Sequence, residues 1–261
     1  MQVQRGRCFQ GQVSVFLIMG ILLVIITGIF LFFLSQQKPS PETTPLQTDA
    51  VVQMIEGCMQ KTTQEGIMHT GKRGGYFILP LEATTELLEN LPYYKIGMQE
   101  LIPSPERRME EITRYVDTML NSCLDFSTFE KQGYNVTRGI PHTTAVLSED
   151  KQFLNIKTAL PITLKKGLQT KELGVFSIRI LVNQMEEDFA VAQEIVATQD
   201  GSAICLTCFS PLAEEYGLVI EVLPYDDNIY VYELKDEDYI LQNENYLLRF
   251  AVKYDSEEEA E

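Results

Sequence analysis

An uncharged run of 22 residues near the start of the chain limits the possible folds more than any other feature of the sequence. It extends from Val13 to Leu34 and consists mainly of large apolar side chains. A helix rises about 1.5 Å per residue, so a run of this length can cross the roughly 30 Å hydrocarbon core of a bilayer. A cleaved signal peptide has a shorter apolar region, of about 7–15 residues, that ends in small residues. Because this run ends in Phe32-Phe33-Leu34, we predict an uncleaved transmembrane helix over residues 13–34.

The charges that flank the apolar run predict its orientation. Arg5 and Arg7 precede the run, whereas only Lys38 closely follows it. The cytoplasmic flanks of membrane helices carry an excess of lysine and arginine. We therefore expect residues 1–12 to be cytoplasmic and the chain after Ser35 to be exported. This topology predicts a single-pass protein of the cell membrane with an extracytoplasmic C-terminal domain.

The exported part divides into a linker, a domain and a tail. Residues 35–49 contain three prolines and predict a Pro-rich linker that holds the domain away from the bilayer. Residues 50–254 are sufficient for one large domain or two small ones, and residues 255–261 predict an acidic disordered tail. The chain has 21 Lys and Arg residues against 37 Asp and Glu residues, a net charge of −16, which argues against nucleic acid or anionic lipid as a partner.

Three helices are predicted in the exported domain. Asp49 can cap a first helix that ends near Glu65, and Ser104 followed by Pro105 is typical of the start of a second helix. A third helix opens at Asn183 and is stopped by Asp200-Gly201. Apolar residues at helical spacing mark the buried faces of these helices: Val51, Met54, Ile55, Cys58 and Met59 on the first; Met109, Ile112, Val116, Met119 and Cys123 on the second; Met185, Phe189, Ala192 and Ile195 on the third.

The remaining sequence predicts β-strands. Residues 143–148 and 153–160 flank a polar turn and form a plausible hairpin, and apolar side chains alternate along residues 176–182. Residues 218–223 and 229–234 form a second pair, and residues 246–254 complete the series. We therefore predict an α+β fold in which a disulfide-linked helical pair and one or two further helices pack on an antiparallel sheet.

Several short motifs resemble those of a group of uncharacterised archaeal single-pass membrane proteins. They are the entry to the apolar run, Gly74-Gly-Tyr-Phe, Tyr93-Tyr94, Cys205-Leu-Thr-Cys208 and the ending Tyr246–Tyr254. This resemblance covers most of the chain and implies an archaeal source and a surface location, but no chemistry. The start of the apolar run also resembles class III (pilin-type) archaeal signal sequences, which implies a pilin-like filament subunit as an alternative.

The sequence contains no recognisable catalytic or cofactor-binding motif. Its two histidines, His69 and His142, are 73 positions apart and have no metal-ligand spacing. Gly71–Gly75 is glycine-rich but favours a flexible loop over a phosphate-binding site. Asp226-Asp227-Asn228 could contact calcium, but these residue types are also typical of a tight turn. We therefore predict no catalytic residue, metal or cofactor.

Four of the five cysteines lie in the exported part, because Cys8 precedes the apolar run. Exported thiols tend to oxidise, and four cysteines allow three pairings. Cys58 and Cys123 both lie on apolar helix faces, so we predict a disulfide between them. Cys205 and Cys208 then form the second disulfide.

The C-x-x-C motif has two alternatives to a structural disulfide. A thiol–disulfide oxidoreductase places its reactive cysteine at a helix N-terminus. The sequence instead predicts a helix that starts after the motif, with Ser210 as its cap and Pro211 next. Glu214 and Glu215 in its first turn would raise a thiol pKa rather than lower it. A zinc site that joins all four exported cysteines is stereochemically possible but is less suited to an oxidising compartment. A structural disulfide is the favoured interpretation.

These observations predict a membrane-anchored, non-catalytic binding or scaffold protein of the cell surface. A protein or glycan partner could contact the aromatic surface offered by Tyr93-Tyr94, Tyr225, Tyr230 and Tyr232, although strand tyrosines more often pack in a core. Asn135-Val-Thr137 matches an N-glycosylation acceptor. The alternatives are a pilin-like filament subunit and an extracytoplasmic thiol–disulfide oxidoreductase that uses Cys205 and Cys208.

Overall fold

The structure is a computed structural model that describes residues 10–36, 48–80, 90–199 and 204–255. The chain divides into two compact units, residues 1–45 and 46–261. Most of the predicted cytoplasmic segment, Pro-rich linker and acidic tail lies outside the described residues. The predicted helix stop at Asp200-Gly201 lies outside them as well.

The described part of the first unit is one helix, α1, over Gln10–Gln36. It carries no charged side chain, and the side chains described along it, those of residues 17–32, are all exposed. Within the described part of the chain, no helix is both long enough and apolar enough to cross a membrane. The transmembrane anchor over residues 13–34 therefore stays a prediction.

The second unit has a mixed α+β architecture, as the sequence predicts. Its described elements, in chain order, are α2 (Thr48–Gly71), β1 (Tyr93–Ile96), β2 (Gln99–Glu100), α3 (Pro105–Cys123), α4 (Ser127–Lys131), β3 (Asn135–Arg138), β4 (His142–Leu147), β5 (Phe153–Lys166), β6 (Gln169–Leu181), α5 (Asn183–Thr198), α6 (Phe209–Tyr216), β7 (Leu218–Asp226), β8 (Ile229–Leu241) and β9 (Glu244–Lys253). A single turn of 3₁₀-helix, Leu206–Cys208, precedes α6.

The strands form two sheets, which corrects the prediction of one antiparallel sheet. The first sheet has the order β2-β1-β9-β8-β7, and its β1–β9 pair is parallel. In the second sheet, β5 is the central strand: β6 pairs along one side of it, whereas β3 and β4 follow one another along the other side. The reason is the length of β5, whose 14 residues provide room for two short partners end to end.

Helices α2 and α3 pack against each other and are joined by the Cys58–Cys123 disulfide. Helix α2 continues to Gly71, beyond the predicted end near Glu65. Ile67 and Met68 extend its buried face, and Gly71 lies so close to the Tyr246 ring that a Cβ there would be 2.6 Å from a ring carbon. The last turn of α2 is therefore maintained by tertiary packing.

Helix α3 begins where the sequence predicts, but its buried face differs from the predicted one. The Ser104 hydroxyl accepts a hydrogen bond from the backbone N–H of Arg107, and Pro105 occupies the first helical position. Leu120 is fully buried, whereas Met119, predicted on the buried face, is 37% exposed. Because an α-helix has 3.6 residues per turn, the buried face drifts around a long helix, and the position after Met119 comes to face the core.

Candidate functional site

A groove between α3 and β4, with a volume of about 660 Å³, is the candidate functional site. One wall is the N-terminal half of α3, and the other wall is β4 with the turn that follows it. Most of the exposed lining is apolar. The lining residues are Pro105, Glu106, Met109, Glu110 and Thr113 of α3, residues 143–147 of β4, and Ser148, Glu149 and Lys151 of the turn.

The turn between β4 and β5 fixes the open end of the groove. The backbone N–H of Ser148 donates to the carbonyl of Phe153, and the Ser148 hydroxyl accepts from the backbone N–H of Phe153 at 2.9 Å. Asp150 accepts from the backbone N–H of Gln152, and Lys151 adopts a left-handed conformation with φ of 57°. These contacts set both the register of the hairpin and the position of the adjacent rim residues.

The outer edge of β4 carries unpaired backbone groups. Ser148 and Phe153 are hydrogen-bonded to each other across the hairpin. In an antiparallel pair of strands, every second residue directs its backbone N–H and C=O groups towards the partner strand, so those of Val146 also point towards β5. The N–H and C=O groups of Ala145 and Leu147 then point away from β5 and along the groove. No described residue forms a hydrogen bond with these outward groups.

At the other end of β4, Thr143 interacts with Asp117 of α3. Burial raises the pKa of Asp117, and hydrogen bonds from the side chain and backbone of Thr143 oppose that rise. The Thr143 hydroxyl also lies 3.0 Å from the hydroxyl of Thr158 on β5. The edge of β4 is therefore occupied at Thr143 and free from Ala145 towards Leu147.

The rim of the groove is acidic. Glu106, Glu110 and Glu149 line it, against a single cation, Lys151. Hydrogen bonds from its own backbone N–H and from Ser104 lower the pKa of Glu106, so this carboxylate is ionised at neutral pH. Glu110 pairs with Arg107 at 3.2 Å, but this pair lies on the exposed surface, where solvent screens it.

A buried carboxylate on α3 holds this helix against the segment that follows α2. The Glu111 side chain is 0% exposed, and its Oε2 accepts hydrogen bonds from the backbone N–H groups of Phe77 and Ile78 at 3.0 and 2.9 Å. Its other oxygen, Oε1, forms ion pairs with Arg107 at 2.6 Å and with Arg114 at 3.1 Å. Together with the disulfide, these contacts make α3 a rigid wall.

The structure contains both disulfides in the predicted pairing. Cys58 is buried on α2 and is bonded to Cys123 at the end of α3, 65 positions further along the chain. Cys205 is bonded to Cys208, and both residues are half-buried. The two disulfides lie in different parts of the unit, and no group of three or more His, Cys, Asp or Glu residues among the described ones could hold a metal ion.

The start of α6 corrects the prediction of a helix that begins after a Ser210 cap. Helix α6 begins at Phe209, directly after the 3₁₀ turn, so Cys208 occupies the position before its first residue. Phe209 is buried and packs edge-on against the Tyr232 ring at 5.7 Å, which explains why the helix begins before Ser210. The C-x-x-C motif therefore lies at a helix N-terminus.

The other candidate residues are distributed over the unit and do not form one site. Asn135 and Thr137 are exposed at the start of β3, as a glycosylation acceptor requires. His142 is exposed, whereas His69 packs between the rings of Phe77 and Tyr115.

The tyrosines and the acidic turn have structural roles. Tyr94 and Tyr232 are fully buried and stack on the two sides of Phe250, whereas Tyr93, Tyr225 and Tyr230 are half-buried. In the turn, Asp226 accepts a hydrogen bond from the backbone N–H of Asp227, and Asn228 donates to the carbonyl of Tyr254. Gly74 and Gly75 both have positive φ in the turn after α2.

Comparison with known proteins identifies no relative of the chain: no family model matches it, and neither do the curated proteins or the solved structures. The resemblance to archaeal single-pass proteins therefore stays a prediction.

Proposed function

We propose that the chain is a membrane-anchored, non-catalytic binding protein that holds a segment of another protein in the groove between α3 and β4. The observation that carries this proposal is the free edge of β4 inside an apolar groove. Binding sites are typically apolar concavities with a few convergent polar groups, and the outward N–H and C=O groups of Ala145 and Leu147 are of this kind.

The character of α1 supports the membrane anchor. Large apolar side chains are exposed on all sides of this helix, between 52% and 71% each over residues 17–32. A helix that is apolar all round is stable when lipid or other apolar helices cover it. The two disulfides of the second unit fit an oxidising compartment outside the cytoplasm.

The groove is better suited to binding than to catalysis. None of the described residues that line it is a histidine or a cysteine. The hydroxyls of Thr143 and Ser148 are engaged in hydrogen bonds with Thr158 and Asp150, so they have structural roles. The walls therefore offer apolar contact, backbone hydrogen bonds and negative charge, which together suit recognition of a polypeptide.

Selection from a random-peptide display library tests this function. The full chain in lipid nanodiscs is the target, and selected peptides are compared on two variants of α3. Thr113→Phe fills the groove and should weaken binding at least tenfold, whereas Thr118→Phe, on the exposed side of the same helix, should leave it unchanged. Failure to select any peptide, or equal binding to both variants, would contradict the proposal.

The Cys205–Cys208 pair supports thiol–disulfide exchange as a second candidate function. The specific observation is that Cys208 directly precedes the first residue of α6, where the helix dipole favours a thiolate. In such an exchange the dithiol would reduce a substrate disulfide and itself become the disulfide, with two electrons and two protons transferred. Reduction of insulin with dithiothreitol as the electron donor tests this role. The Cys205→Ser/Cys208→Ser variant should lose the activity, and the Cys58→Ser/Cys123→Ser variant should retain it.

A further inference from the structure

We infer that the occupant of the groove is an extended, basic segment of a partner protein that pairs with β4 as an additional strand. This inference rests on the proposed binding function and specifies its chemistry. An exposed strand edge pairs readily with an extended peptide, because unpaired N–H and C=O groups repeat every second residue along it.

The register of the added strand follows from β4. Ala145 and Leu147 present two donors and two acceptors at the spacing of one two-residue repeat, about 6.6–6.8 Å. Thr143 is buried beside Asp117, whereas Ala145 is half-buried, so pairing begins at Ala145 and extends towards the turn. The added strand therefore lies along the end of β4 that borders the acidic rim.

The walls predict the side chains of the occupant. Met109 of α3 and Leu147 of β4 offer apolar surface inside the groove, whereas Glu106, Glu110 and Glu149 surround its opening. Successive side chains of an extended strand point in opposite directions. The occupant should therefore alternate apolar residues, which face the groove, with lysine or arginine residues, which face the rim.

The charge of the rim argues against a second copy of this chain as the occupant. Pairing of β4 with β4 across a two-fold axis would bring two acidic rims together, in molecules that each carry a net charge of −16. Like charges at such an interface are unfavourable, whereas a basic segment gains electrostatic attraction.

Proline substitution tests strand pairing, because proline removes a backbone N–H. Ala145→Pro removes an outward N–H and leaves the ladder to β5 intact, a change that edge strands tolerate. Ser177→Pro is the matched control, because the same alternation points the Ser177 N–H away from β5 on the opposite edge of the sheet. With peptides selected on the full chain, we expect at least a tenfold loss of affinity for Ala145→Pro and less than a twofold change for Ser177→Pro.

Hydrogen exchange on the parent protein provides a readout that does not depend on a variant. Bound peptide should slow exchange of the Ala145 and Leu147 amides, whereas the Val146 amide, already paired with β5, should change little. The selected peptides should also be rich in lysine and arginine, and Glu106→Gln/Glu149→Gln should weaken their binding. If Thr113→Phe blocks binding but these amides are not protected, the groove binds peptides in another way and only the strand inference fails. If selection yields no peptide, both proposals fail.

Discussion

The carboxyl group of Asp188 is buried on α5, and its environment raises its pKa to about 8. Burial is the main cause, followed by the negative charges of Asp236 and Glu187. Asp188 in turn raises the pKa values of the buried tyrosines Tyr239 and Tyr246. At neutral pH the folded protein therefore holds a proton on Asp188 that the unfolded chain releases.

This difference predicts how stability changes with pH. The unfolded pKa is near 4 and the folded pKa is about 8, so the free energy of unfolding should fall as pH rises between these values. The fall is at most about 1.4 kcal/mol per pH unit, and it should cease above the folded pKa. Asp188→Asn should flatten this dependence and unfold at higher urea concentration than the parent at pH 8. The control Glu194→Gln, at an exposed position of the same helix, should retain the slope of the parent; an unchanged slope in Asp188→Asn would contradict the prediction.

Glu111 allows a second test at the residue scale. Its buried carboxylate accepts two backbone hydrogen bonds and contacts two arginines. In Glu111→Gln, the new NH₂ group would face either the two backbone N–H groups or the two arginines, and both of these are hydrogen-bond donors. Removing one partner of a buried charge network costs about 3–5 kcal/mol. The free energy of unfolding in urea should fall by about 3 kcal/mol. Glu110→Gln, at an exposed position one residue away, should change it by less than about 0.5 kcal/mol, and similar losses in both variants would argue against the network.

At the scale of elements, sequence patterns located most helices and strands but not all of their ends. The Ser104 cap was predictable because a local hydrogen bond stabilises it. The end of α2 at Gly71 was not, because it depends on packing against Tyr246, which lies far along the sequence. The start of α6 at Phe209 likewise depends on packing against Tyr232.

The groove could not be predicted from the sequence. Its β4 wall was recognised as part of a hairpin, and its α3 wall as an amphipathic helix, but the two walls meet only through tertiary packing. Ala145 and Leu147 look like ordinary strand residues in the sequence. The outer edge of β4 is free because β6 pairs with β5 and not with β4. No local sequence pattern specifies that arrangement.

The two disulfides should differ in their contribution to stability. Cys58–Cys123 closes a loop of 65 positions, which corresponds to about 4 kcal/mol in the chain-entropy account. Cys205–Cys208 closes a loop of three positions and should contribute about 2 kcal/mol or less. Urea unfolding of two double variants measures which disulfide contributes more. The variants are Cys58→Ala/Cys123→Ala and Cys205→Ala/Cys208→Ala, and neither has a free thiol from the broken bond. A larger loss in the second variant would show that the 3₁₀ turn and α6 depend on their disulfide for packing.

At the scale of the whole molecule, the topology of the chain is the first property to test. If α1 crosses the membrane with its N-terminus inside, protease added to intact cells should release the second unit by cleavage between Ser35 and Thr48. Cells permeabilised first provide the control for total digestion. Complete protection of the second unit in intact cells would contradict the exported topology.

The independence of the second unit is the last prediction. Residues 46–261 form a compact unit with a continuous core, and the negative charge of the chain opposes self-association. A chain that begins at Leu46 should therefore be soluble and monomeric when oxidised. Its melting temperature should lie within about 4 °C of that of the full chain in detergent. For a unit of this size, such a shift corresponds to a change of roughly 2 kcal/mol or less in the free energy of unfolding. Light scattering and thermal unfolding measure both properties.

The same measurements separate the membrane anchor from the pilin-like alternative. In a filament, apolar N-terminal helices pack together, so α1 would contribute to assembly. Full chains in detergent would then form large particles, whereas the truncated chain would stay monomeric. For a simple anchor, both forms should be monomeric apart from the detergent micelle. Aggregation of the oxidised truncated chain would instead show that the second unit needs a contact supplied by residues 1–45, which would contradict its predicted independence.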